Sequence, residues 1–113
     1  MNQSPPGFSV FLLMMFLVIT TDVFASVLKP VELYEQYCMS CHADDASGEM
    51  PGVPDLIADK SWMQLPEKEL LKRMIDGIQT PGSVMIMPPR GGAVNLSDQE
   101  LMSIIRYMKK NFR

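Results

Sequence analysis

The chain has 113 residues, a formal charge of −3 and 47% hydrophobic residues. That is room for one domain, with too little net charge to hold a nucleic-acid backbone. One His and two Cys are present, which leaves a structural zinc site short of the four ligands it needs.

Phe8 to Ile19 is an apolar run of the length found in signal peptides, and Val23-Phe24-Ala25 supplies a cleavage signal before Ser26. The segment departs from the usual pattern in having no Lys or Arg ahead of the run. Thr20, Thr21 and Asp22 cut the run short of the roughly 20 residues a membrane-spanning helix needs. Residues 1–25 are therefore expected to be a signal peptide removed on export to the periplasm, leaving Ser26 to Arg113 as one domain without stable membrane insertion. The alternative is an uncleaved N-terminus anchoring the chain to the outer side of the cytoplasmic membrane. An exported chain this short buries only about 60–65% of its unfolded surface, so its own core is marginal.

The pattern predicts a first helix over about Pro30 to Cys38, with Pro30 in the first turn and Leu33, Tyr34 and Tyr37 on one face. Next comes Cys38-Met39-Ser40-Cys41-His42, which gathers both cysteines and the only histidine into five residues. Cys-x-x-Cys-His is the pattern of covalent haem c attachment. Two thiols on one turn can add to the two vinyl groups of one porphyrin, and the adjacent imidazole reaches the iron from the same side. A thioredoxin-like redox pair would sit beside a βαβ pattern, and no alternating or β-branched run follows Cys41. Thioether formation also leaves no thiol free to oxidise outside the cytosol, and the porphyrin supplies the core that the short chain lacks.

Ala43 to Asp59 reads as a loop, because Gly48, Pro51, Gly52 and Pro54 break any long element; its five acids read as a solvated surface. A second helix is expected from Pro66 to Asp76, with Leu70, Leu71, Met74, Ile75 and Ile78 as its apolar stripe and Gly77 as its stop. Thr80 to Ala93 is expected to be irregular. The last helix starts at Ser97, which forms a capping box with Glu100, and buries Leu101, Ile104, Ile105 and Met108. No strand is needed. The fold class is all-α, with three main helices and loops around one covalent haem.

With His42 on one side of the iron, the sixth position falls to a methionine or stays open. Met74, Met102 and Met108 fit helix faces as core filler. Met85 and Met87 lie in the Pro/Gly loop. Met87 is favoured because Pro88-Pro89 restricts its backbone and stiffens the loop beyond it; Met85 or an open site remains.

The Cys38–His42 motif, the Met87-Pro88-Pro89-Arg90-Gly91-Gly92 loop and the helix carrying Ile104-Ile105-Arg106-Tyr107-Met108-Lys109-Lys110 resemble the class I c-type cytochromes. Within them, the chain is most similar to the short bacterial cytochrome c5-like branch. The resemblance implies His42 and Met87 as axial ligands and a Pro54 carbonyl orienting the His42 ring. It also implies Trp62 against the haem, its indole N–H available to a propionate, and Tyr34 and Tyr107 at the crossing of the first and last helices. Trp62 reads equally as an ordinary buried aromatic, and Arg90 as a solvated charge sooner than a propionate clamp. Ala43 stands where a glycine is common, and the extra cysteine pair of some members is absent. The implied function is a single-electron carrier, not an enzyme, in transient contact with a larger oxidase, reductase or dehydrogenase. A membrane-anchored electron-transfer subunit and a haem-based ligand sensor are the alternatives.

Overall fold

The computed structural model describes residues 27–113; the stretch read as an export signal, residues 1–25, lies outside them. Four α-helices appear in chain order: α1 (Pro30–Tyr37), α2 (Met39–His42), α3 (Glu67–Asp76) and α4 (Asp98–Asn111). Single 3₁₀ turns occur at Ser61–Gln64 and Pro89–Gly92. Among the described residues, no helix is long and apolar enough to cross a membrane.

Local sequence explains most of the boundaries. The α4 start is a reciprocal box: Ser97 N–H donates to the Glu100 carboxylate at 2.8 Å and Glu100 N–H to Ser97 Oγ at 3.2 Å. The α1 start satisfies the Lys29 N–H through the Glu32 carboxylate at 2.7 Å. Pro66 precedes α3 with an extended ψ of 143°, so the helix begins one residue later than the sequence pattern predicts. The α1 helix ends at Tyr37 because Cys38 (φ −118°, ψ −35°) is a hinge into the single turn of α2.

The core forms where α1 and α3 pack on α4. Leu33, Tyr34, Leu101, Ile104 and Ile105 are at most 2% exposed. Tyr34, Tyr107 and Phe112 make a three-ring cluster with centroids 5.1–5.7 Å apart, within the range where tilted rings attract. Across the α3 face, Arg106 pairs with Glu67 at 3.0 Å and Lys109 Nζ donates to the Leu65 carbonyl at 2.6 Å.

One element was not expected. Ile78–Gln79 (β1) and Ile86–Met87 (β2) form a two-residue antiparallel ladder, Ile78 opposite Met87 and Gln79 opposite Ile86. Pro88 lacks the N–H that would carry the ladder further. No periodicity signal can build up over two residues, but the ladder anchors Met87 to the chain leaving α3.

Candidate functional site

The Cys38–His42 turn is held by backbone bonds on both sides. Cys41 and His42 N–H share the Cys38 carbonyl at 3.2 and 3.0 Å, and Ala43 N–H reaches Met39 O at 2.8 Å. The following loop folds back, with Gly48 N–H donating to His42 O and Glu49 N–H to Cys41 O, each at 2.9 Å. The carbonyls left over at the end of α2 are thus satisfied by the loop, as a helix terminus requires. Tyr34 Oη donates to Ala43 O at 2.8 Å, tying the turn to α1; burial pushes the Tyr34 phenol well above its usual range.

Ala43 carries strain. Its φ of 67° and ψ of 171° fall in a region suited almost only to glycine. The missing glycine noted in the sequence therefore has a structural counterpart, at a cost of order 1–3 kcal/mol.

Burial shapes the chemistry of this turn. Burial, then the neighbouring Cys41 charge, pushes the Cys38 thiol up to about 11, and both cysteines are free and half-buried. Burial lowers the His42 pKa, favouring the neutral imidazole that binds metals. Among the described residues, His42 Nδ1 is the sole buried side-chain nitrogen or oxygen with no hydrogen-bond partner. Such an orphan calls for explanation, and a metal-ligating imidazole whose second nitrogen awaits an acceptor supplies one.

Met87 is half-buried and packs against the core with Cys38, Trp62, Leu70, Leu71 and Ile75. Met85 turns elsewhere: its Cγ lies 3.0 Å from where a Cβ on Gly52 would stand. Pro54 O comes near Gly48, 3.4 Å from a Cβ placed there, so it lies in the loop bonded to His42 O; His42 Nδ1 makes no bond to it. Trp62 packs against the core, but its indole N–H donates to the Leu56 carbonyl at 2.9 Å. The N–H that the resemblance offers to a propionate is thus engaged within the loop.

Arg90 is more enclosed than a solvated charge. It adopts a left-handed conformation (φ 56°, ψ 23°) and its side chain is 26% exposed. Its guanidinium spans the Leu96 carbonyl at 2.7 Å and the Asp98 carboxylate at 2.6 Å. It is a clamp joining the Met87 loop to the start of α4. Gly77, with φ 84°, is a second loop support that sequence reading valued only as a helix stop. A Cβ there would stand 2.8 Å from Met87 O and 3.0 Å from Pro89 N, so the chain passes too closely for any side chain. Ser83, which carried no sequence signal, bonds Gly52 O and Met85 O, both at 2.9 Å.

Two thiols and one orphaned imidazole thus share a single turn, and the Met87 thioether packs with Cys38, Trp62, Leu70, Leu71 and Ile75 on one core. These fit a haem: sulfur for covalent attachment, nitrogen and soft sulfur for axial ligation, and apolar surface for the ring.

Comparison with known proteins agrees. The model of a family described as cytochrome C oxidase, cbb3-type, subunit III matches residues 25–108. The fructose dehydrogenase cytochrome subunit of Gluconobacter japonicus is 29% identical over 86 residues, 71% of this chain. This chain spans only 18% of that protein's length.

Proposed function

The chain belongs to the c-type cytochrome family described as cytochrome c oxidase, cbb3-type, subunit III, and from that premise we propose that it is an exported, single-haem electron carrier of the short cytochrome c5-like kind. Cys38 and Cys41 hold the haem, each thiol adding its sulfur to one vinyl carbon and its hydrogen to the other. His42 and Met87 are the axial ligands. When bound, the haem supplies a one-electron iron couple. The His/Met pair favours the reduced state and raises the potential.

The observation that carries this reading is the orphaned Nδ1 of the only histidine, in the same turn as both thiols. The division of labour between the methionines supports Met87, which turns inward while Met85 packs on Gly52. The Pro54 carbonyl would serve as the acceptor for His42 Nδ1–H with the haem in place, and Trp62 would steady the loop beside it through its bond to Leu56. Filling both axial positions leaves no open site for substrate, which favours outer-sphere transfer over catalysis. The partners are larger redox proteins, an oxidase, reductase or dehydrogenase, met transiently in the periplasm.

The test is attachment. Denatured protein should retain its colour in acid-acetone and show the mass of one haem on a chain starting at Ser26. Haem stripped from the unmutated protein by acid-acetone overturns the covalent reading. A second reading, a subunit held stably in a larger enzyme, is favoured by the likeness to an oxidase-subunit family and to the cytochrome subunit of a Gluconobacter dehydrogenase. An intact residue 1–25 segment and co-fractionation with membranes would select it.

A further inference from the structure

Charge along this chain is divided. Pro30 to Asp59 contains seven carboxylates and no Lys or Arg, whereas Lys60 to Arg113 contains nine basic and five acidic side chains. The acidic stretch holds the Cys38–His42 turn and the loop after it; the basic stretch holds α3 and α4.

Large apolar side chains stand in solvent beside the acidic loop. Val84 is 90% exposed, Ile86 60%, Met50 40% and Met39 38%. Two contacts bring their segments together. The Glu49 N–H bond to Cys41 O, 2.9 Å long, sets Met50 next to the motif turn. Ser83 Oγ donates to Gly52 O at 2.9 Å, and Val84 Cγ2 lies 3.3 Å from where a Gly52 Cβ would stand. Extended chain places alternate residues on opposite sides, so Val84 and Ile86 stand out into solvent on the side away from Met85, which packs on Gly52, and Met87, which packs on the core. Asp44, Asp45, Glu49 and Asp55 are exposed in the same loop. Apolar groups gathered from separate segments within a polar rim have the anatomy of an interaction site.

We propose that the surface made by Met39, Met50, Val84 and Ile86 is the docking face for a redox protein presenting an apolar centre ringed by Lys and Arg. The apolar groups exclude water at the contact, and the acids steer the encounter. This rests on the electron-carrier reading and adds to it the side of approach and the partner's charge.

The test uses the haem-loaded protein on gold coated with mixed amino- and methyl-terminated thiols, or with carboxylate- and methyl-terminated ones. Adsorbed mass is read by microbalance and electron exchange by voltammetry. Adsorption and exchange should both be faster on the amino surface, by about tenfold at low salt. The preference should shrink near ~0.15 M salt, where the screening length is ~8 Å. Asp44→Lys with Glu49→Lys should abolish the preference. Both side chains stand outside the loop's own bonds, which use Asp45, Asp55 and Asp59. Val84→Ser should lower adsorbed mass, and Lys110→Glu should change neither. Equal behaviour on both surfaces, or a preference unmoved by the double reversal, overturns the docking face. Selective adsorption with no electron exchange on either surface instead defeats the carrier reading and leaves the face standing.

Discussion

The two ends of α1 pack differently. Toward α4, its side chains Leu33 and Tyr34 meet Leu101, Ile104 and Ile105 in a contact at most 2% exposed, completed by protein alone. Toward the motif turn, Cys38, Cys41, His42, Trp62, Leu70, Leu71, Ile75 and Met87 are all half-buried. The apolar stripe of α3 shows the same division within one helix, since only Met74 of it is buried. Apolar side chains left half-exposed are surface that a porphyrin, with its own apolar faces, would cover under the proposed function. One region is finished by the chain alone; the other, under the proposed function, is completed by the haem.

Breaking the cofactor end should have the largest effect. Met87→Ala should abolish the weak sulfur-to-iron absorption band of the oxidised protein and lower its potential, while Met85→Ala should leave both nearly intact. The opposite pattern, read by absorption spectra and voltammetry, would move the ligand two residues and undo the argument from Pro88-Pro89.

Breaking the finished end should cost stability and spare the spectrum. Leu101→Ala, at 1% exposure, should destabilise by about 3 kcal/mol in denaturant unfolding, as large-to-small core substitutions do. A shifted haem spectrum in this variant would show that the two ends are coupled.

The strain at Ala43 (φ 67°) sits between the two regions, where the motif turn meets α1. Ala43→Gly should stabilise by about 1 kcal/mol, the relief of strain exceeding the added freedom of the unfolded chain. A lower unfolding midpoint would mean that the Ala43 methyl packs usefully enough to outweigh its backbone.

The smallest effect concerns pH. The Ser97 backbone N–H, then its hydroxyl, holds the Glu100 carboxyl below its usual range. A depressed carboxylate contributes stability that is present above its unfolded pKa, about 4.3, and is lost as pH falls through the folded value. Glu100→Gln keeps a capping side chain but no charge, so the melting temperature of the wild type should fall towards that of the variant below about pH 4. Parallel curves across that window would show that the charge contributes nothing to α4.

The start of α4 and most of its buried face were legible because their signals are local, although Met108, expected on that face, is only half-buried. Ser97 and Glu100 are three residues apart, and Leu101, Ile104 and Ile105 share a face through helical geometry alone. Phe112, four residues past Met108, continues that face, so the same period could have found it. The Cys38–His42 motif was legible for the same reason, since covalent adjacency brings both thiols and the imidazole onto one turn. The helical fold class was within reach of pattern.

Tertiary structure alone decided the rest. The β1–β2 ladder, the Arg90 clamp on Leu96 and Asp98, the Ser83 tie to Gly52 and the Trp62 bond to Leu56 are choices among partners that local sequence leaves equally available. Only packing selects one of them. Sequence by itself determined that two thiols and the imidazole share one turn, because bonded neighbours cannot separate. How the loops close around those atoms depended on contacts between residues far apart in the chain, whose geometry exists only once α1, α3 and α4 are packed.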